Sequence, residues 1–352
     1  MSLVPSRARL AVAALCVVGL LRSVCAAPDA DAARSIVLRG AGATLPAPLY
    51  EKWIEAYRRE NPDVVITYEA VGSSEGQRRY LADAVDFGAS DAALRDEQMA
   101  SVKSGARLVP ATAGIVVLAY NLPGVSGPLK LSREAYTGIL TGRLRTWNDP
   151  AIRATNPDLA LPNRTIAVIA RQDGSGTTFA LTNHLGAVSA DWRDRGPGVG
   201  NLVDWQGRAM LARGNEGVAA RIKVSEYSIG YAEYHFAKRL GLPMALLQNR
   251  AGRYVEPGER GGQAALIASI AQMPDNLRLF LPDPAGEDSY PIVTFSWLLL
   301  YDRYADADKA AALKKFVAWG LTTGQRYSRD LGYIALPPDV AARSLAALDR
   351  VR

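Results

Sequence analysis

Residues Thr165–Leu185, TIAVIARQDGSGTTFALTNHL, begin with an apolar run, pass through a polar turn and resume as a run with helical character. The turn itself, RQDGSGTT (Arg171–Thr178), sets an arginine and an aspartate ahead of two glycines interleaved with hydroxyl residues. Glycine tolerates backbone dihedrals that other residues avoid, so N–H groups can converge there. The first N–H groups of a helix have no partner within it, and the helix dipole favours negative charge at that end. A strand–turn–helix of this kind makes a pocket for a small anion.

The same alternation runs outward in both directions. SIVLRG reads as a strand and PLYEKWIEAYRRE as a helix, with Leu49, Trp53 and Tyr57 on one face. VVITYEAV follows as a strand and GQRRYLADAV as a helix presenting Gln77, Leu81, Ala84 and Val85. VDFGAS, a helix from about Ala93, GIVVLAY, REAYTGIL, EGVAARI and YSIGYAEY continue the pattern. Such alternation predicts α/β layers with largely parallel strands. Two apolar stretches, AGIVVLAYNL and YPIVTFSWLLLY, flank the central half and are placed to carry the chain out of one domain and back.

Three further turns repeat the composition of RQDGSGTT. GAGATLPAP carries Thr44 ahead of a helix with Pro46 near its start, GSSEG offers Ser73 as an N-cap, and GASDAAL ends a strand on Ser90 and Asp91. One such turn is usually only a cap, and Arg171 with Asp173 alone would be an ordinary ion pair. Four together point to a ligand beyond the carboxyl ends of the strands.

Charge and cysteine usage narrow the classes. Arg7 and Arg9 precede the uncharged run LAVAALCVVGLL, and SVCAA follows, which reads as a secretory signal peptide over residues 1–26, cut after Ala26 or Ala27. Twelve residues fall short of the about 20 needed to span a bilayer. A lipoprotein anchor at Cys16 or Cys25 is the alternative, disfavoured by the larger Leu15 and Val24 before them. Cleavage leaves 326 of the 352 residues, enough for two domains with their own cores, and removes both cysteines. The net charge of +6 falls to +3 when Arg7, Arg9 and Arg22 leave. No basic run or basic–aromatic stripe suggests nucleic acid, and two histidines, His184 and His235, are too few for an ordinary zinc site. The expectation is an exported, soluble protein without a metal or cofactor.

One enzyme motif is present. GSSEG matches G-x-S-x-G with Ser74 at its centre, and either histidine stands where a hydrolase base could follow. A secreted serine hydrolase is therefore the alternative, although it leaves Thr44, Asp91 and Arg171 without a role. A P-loop is worse supported, because DGSGTT lacks the lysine of that motif.

The order and spacing of GAGATLPAPLYEKW, GSSEG, VDFGASDAAL and VIARQDGSGTTF resemble the periplasmic phosphate-binding proteins of ABC-type phosphate importers. The likeness continues through LTGRLRTWNDPAI, GNEGVAARI, IGYAEY and LGYIALP, and so covers nearly the whole mature chain. The resemblance implies a two-lobed Venus-flytrap fold of type II with two crossovers, residues 27–114 plus 294–352 forming lobe I and 115–293 lobe II. It implies a periplasmic monomer, not an enzyme, that delivers inorganic phosphate to a permease and ATPase complex. Family contacts carry over onto Thr44 and Leu45 through their backbone N–H groups, and onto Ser73, Asp91, Arg171, Ser175, Gly176 and Thr177. Asp173 matches the carboxylate that orients the arginine. Leu45 stands where phenylalanine is frequent. Glu75, where a small residue is usual, would oppose an anion if it pointed inward.

The implied set is chemically coherent. Arg171 brings positive charge and a planar donor fork. Asp91 can only accept while ionised, and phosphate near neutral pH still carries a P–OH proton to give it. Sulfate has no such proton. A site built for a ligand hydrogen bond can reject an analogue lacking it by about 10⁴-fold to 10⁵-fold. Arsenate, with the same protons as phosphate, is not separated by this device.

Overall fold

Thirteen consecutive buried residues, 108–120, lie in one strand at the centre of the molecule. A strand covered on both faces reads as a continuous apolar run instead of an alternating one. The computed structural model describes residues 35–352; the signal-peptide reading and both cysteines fall outside the described residues. Its strands are β1 (Ile36–Gly42), β2 (Val64–Ala70), β3 (Phe87–Ser90), β4 (Ala106–Asn121), β5 (Lys130–Leu131) and β6 (Ala167–Arg171). They continue with β7 (Ala209–Ala212), β8 (Ser228–Glu233), β9 (Leu246–Gln248), β10 (Tyr254–Val255) and β11 (Val293–Tyr301). Eight of them form one sheet in the order β2-β1-β3-β11-β4-β8-β6-β7, and β10-β9-β5 form a small second sheet.

The two apolar stretches expected to cross between domains are β4 and β11, and they depart from the parallel pattern. β11 is antiparallel to β3 and β4, and β4 is antiparallel to β8, whereas β1–β2, β1–β3, β6–β7 and β6–β8 are parallel. A chain that passes out along one strand and returns along its neighbour makes an antiparallel pair, so the sheet is mixed where the crossings lie. β4 changes partner midway: Ile115 is the last residue opposite β11, and Val116 the first opposite β8.

Pro110 sits within this central strand, where its missing N–H would break a regular ladder. The register of β4 against β11 shifts there, from Ser296 opposite Thr112 to Trp297 opposite Pro110, so Ala111 is the extra residue of a bulge. Beside the bulge, Ser296 and Thr294 reach Asp91.

Helices cover the sheet and begin where strands end. Helix Ala47–Glu60 buries Leu49, Trp53 and Tyr57, as the periodicity predicts. The next helix differs from its expected span. It runs Ser73–Leu81 and buries Ser73, Gly76, Gln77 and Tyr80, while Ala84 and Val85 lie beyond its end. Its N-cap is Gly72 at φ 97°, so Ser73 is its first helical residue and not the cap. The helix expected from Ala93 starts at Asp96. Among the described residues no helix is long and apolar enough to cross a membrane.

Candidate anion-binding site

Four strand exits meet in the interior: those of β1, β2, β3 and β6, each followed by one of the turns singled out in the sequence. β6 ends on Arg171, Ser175 caps helix Gly176–Val188, and the Ser175 hydroxyl accepts from Thr178 N–H at 3.2 Å. Thr177, Ser175, Ser73 and Asp91 are buried, as is Arg171, whose exposure is only 2 %. Leu45 is buried too, its carbonyl accepting from the Tyr333 hydroxyl at 2.7 Å.

Close packing joins the turns. A Cβ on Gly176 would lie 2.6 Å from Ser73 Oγ and 2.8 Å from Asp91 Oδ2, so only glycine lets the helix start approach the opposite turns this closely. Gly72, at φ 97°, leaves no room for a Cβ beside the Asp173 carboxylate, at 2.6 Å from Oδ2. Ser74 N–H donates to the Gly174 carbonyl at 3.1 Å, and Ser175 N–H to the Asn201 carbonyl at 2.7 Å.

What remains unpaired defines the chemistry. The N–H groups of Thr44, Leu45, Ser73, Gly176 and Thr177 donate to no other described residue, although all five residues are buried. Buried N–H groups without a partner are rare. The Arg171 guanidinium is held by Asp173, which accepts from Nε at 2.8 Å and also from Nη2. Its Nη1 is buried with no partner among the described residues. Five orphan N–H groups and a guanidinium edge, converging from three turns, form a donor set without an acceptor.

The carboxylates divide by environment. Burial pushes the Asp91 carboxyl up to about 7, against the downward pull of Ser296, Arg171 and Ser73. Ser296 donates to its Oδ1 at 2.7 Å. Burial also raises Asp173, but the hydrogen bonds and charge of Arg171 outweigh it and hold that carboxyl below its usual range. Glu75 does not point inward. It pairs with Arg78 at 2.7 Å and Arg79 at 2.9 Å, and their hydrogen bonds hold it at about 2.

The hydrolase alternative finds no geometry. Ser74 Oγ accepts from Asn201 Nδ2 at 3.3 Å. His184 donates from Nδ1 to the Pro282 carbonyl at 2.7 Å and accepts at Nε2 from the Tyr136 hydroxyl at 2.8 Å; burial lowers it to about 4, which keeps it neutral. His235 donates to the Leu331 carbonyl at 2.8 Å. Neither histidine is bonded to Ser74.

Several residues at the site were not singled out from the sequence. Asn215, in the first turn of helix Gly214–Val224, bonds both Thr44 and Thr177. Tyr231 reaches Arg171 N–H at 3.1 Å, and Ser296 holds Asp91. Ser296 left a trace: with Thr294 it is a hydroxyl residue in the fully buried strand β11. Asn215 lies in GNEGVAARI, where no local pattern of sequence marks its chemistry.

Comparison with known proteins agrees with this geometry. Residues 27–323 match the model of the PBP superfamily domain. The phosphate-binding protein PstS of Haemophilus influenzae is 38% identical over 309 residues, covering 87% of this chain and 90% of that one. PstS of Methanocaldococcus jannaschii is 34% identical over 340 residues, 90% of this chain and 87% of that one. The fold is shared with a phosphate-binding protein from Stenotrophomonas maltophilia, at a TM-score of 0.70 and 18% identity over 88% of this chain and 93% of that one. It is shared equally with a high affinity periplasmic phosphate-binding protein, PfluDING, at 0.71 and 20% over the same shares. On a match of this extent, the chain belongs to the PstS family of phosphate-binding proteins and has their two-lobed, type II periplasmic-binding-protein fold.

Proposed function

We propose that the protein binds one inorganic phosphate between its lobes and delivers it to the permease of an ABC-type importer, with no reaction catalysed. The observation that carries this reading is the buried donor set: five orphan N–H groups with Arg171 Nη1, and no acceptor among the described residues. A buried dianion must have its charge and lone pairs matched, or desolvation dominates. Here Thr44 and Leu45 contribute backbone N–H groups, Ser73, Ser175 and Thr177 contribute hydroxyls, and Gly176 contributes the N–H of a helix start. Arg171 neutralises charge, with Asp173 fixing its orientation. Asp91 accepts the ligand's P–OH proton, which turns a carboxylate in an anion site into a selector.

The partner reading includes an ATPase beside the permease, with the binding protein itself a monomer in the periplasm after its first 26 residues are removed. Lobe I comprises residues 27–114 and 294–352, and lobe II residues 115–293. The exchange of β4 partners between Ile115 and Val116 supports these limits, as does the start of β11 at Val293. Thr44, Ser73 and Asp91 then belong to one lobe and Arg171 to Thr177 to the other, so phosphate favours closure by contacting both.

Calorimetric titration of phosphate-stripped protein with phosphate, sulfate and an acetyl ester tests the reading. Saturation by phosphate at one site per chain, with no ester turnover, is expected. Sulfate binding as tight as phosphate at pH 8, or ester turnover lost in Ser74→Ala, would overturn it.

A further inference from the structure

The amide of Asn215 is fixed at one end. Its Oδ1 accepts from the Glu233 backbone N–H at 3.0 Å, and a backbone N–H can only donate, so the NH₂ group must face the other way. That NH₂ group donates to Thr44 Oγ1 at 3.0 Å and to Thr177 Oγ1 at 3.2 Å. Asn215 N–H adds a second donor to Thr44 Oγ1 at 3.4 Å. Neither hydroxyl donates to any described residue, and all three residues are buried.

From this we infer that Asn215 is a positioning residue that sets the polarity of the two hydroxyls. A hydroxyl has one proton and two lone pairs. Thr44 Oγ1 accepts two N–H donors and Thr177 Oγ1 one, so each proton must turn away from Asn215, which leaves it free for an anion. Asn215 thereby makes Thr44 and Thr177 obligate donors to an anion without touching the anion itself. Because Thr44 follows β1 and Thr177 belongs to helix Gly176–Val188, one amide orders donors from two separate turns. The inference rests on the phosphate reading above and adds to it the device that makes two hydroxyls anion-selective.

The substitution that discriminates is Asn215→Asp. It keeps the shape, but a carboxylate accepts from the two hydroxyls and turns their protons away from the ligand. Asn215→Ala removes the orientation without reversing it. Phosphate titrations of the stripped full-length protein should show a loss of about tenfold for Asn215→Ala and at least about 100-fold for Asn215→Asp. A packing role predicts the reverse order, since aspartate is the closer match in shape.

Asn215→Asp also adds a charge near the anion, so a double-mutant cycle built on the neutral Asn215→Ala carries the test without it. In a Thr44→Val, Thr177→Val background, Asn215→Ala should change phosphate affinity by less than about threefold, because the amide then has no hydroxyl to orient. Circular dichroism and thermal unfolding report whether each variant folds, and the cycle decides the matter if Asn215→Asp does not. An equal loss from Asn215→Ala in both backgrounds, or Asn215→Asp binding as well as Asn215→Ala, would overturn this inference alone. A folded wild type that takes up no phosphate would overturn the phosphate reading and the inference with it.

Discussion

Replacing Asp91 by asparagine should abolish the pH dependence of sulfate binding while leaving phosphate bound. The magnitude follows from the burial that raises this carboxyl to about 7. In the proposed complex one proton lies between Asp91 and the ligand. Phosphate brings that proton as P–OH, whereas sulfate requires Asp91 to take one from solvent. Above about pH 7, each pH unit therefore costs sulfate about 1.4 kcal/mol, or tenfold in affinity. Between about pH 7 and about pH 9, wild-type affinity for sulfate should fall about 50-fold, with phosphate affected far less. In Asp91→Asn the amide donates without recruiting a proton, so the slope vanishes. At about pH 9 the variant should bind sulfate about 100-fold more tightly than wild type, equivalent to about 2.7 kcal/mol. Phosphate remains bound because the amide oxygen still accepts from P–OH. Competition titrations at fixed ionic strength measure both anions across the series. A flat sulfate profile in wild type, or equal sulfate affinity in the two proteins at high pH, would refute the reasoning.

Arg171→Lys keeps a charge but loses the fork that bonds Asp173 and leaves Nη1 for the ligand; phosphate affinity should drop by about 100-fold or more in calorimetry, and an unchanged value would remove Arg171 from the site. Ser74→Ala loses one neutral hydrogen bond, to Asn201, and should cost phosphate no more than about tenfold in the same assay. Stability without ligand should also respond to Asp91. Its folded carboxyl, raised from 3.8 to about 7, stays protonated while the unfolded chain ionises, so wild type loses stability as pH climbs from about 4 to about 7. Asp91→Asn should be the more stable protein at pH 8, by up to about 4 kcal/mol, and the difference should vanish near pH 4 in urea unfolding. Parallel stability profiles for the two proteins would contradict the burial ascribed to Asp91.

Local features were the most legible part of the sequence. β1, β2, β3 and β6 with their turns lie where periodicity and glycine placement put them, because each is settled by a few adjacent residues. The antiparallel course of β4 and β11 was not legible, since direction depends on which distant strand lies alongside, and alternation of elements carries no sign of that. The limits of helix Ser73–Leu81 depart from the periodicity for a similar reason: Gly72 at positive φ starts it a residue sooner than a serine cap would, and Ala84 and Val85 are apolar without being helical. At the site, residues in the turns could be named, but those that act across the fold could not. Asn215, Tyr231 and Ser296 matter through single hydrogen bonds to residues far away in the chain. Glu75 was ambiguous in sequence and is resolved by two arginines on its own helix, three and four residues on.

The central claim is that one anion completes the buried donor set around Arg171, and a crystal structure of the protein grown with phosphate tests it most directly. The account predicts a single phosphate within hydrogen-bonding distance of Arg171 Nη1, of the N–H groups of Thr44, Leu45, Ser73, Gly176 and Thr177, and of the Asp91 carboxylate. Phosphate found instead in the adjoining cleft of about 420 Å³, whose lining includes Thr44 and Asn215, bonded to Arg213 or Arg239 and not to Arg171 or the orphan N–H groups, would contradict it.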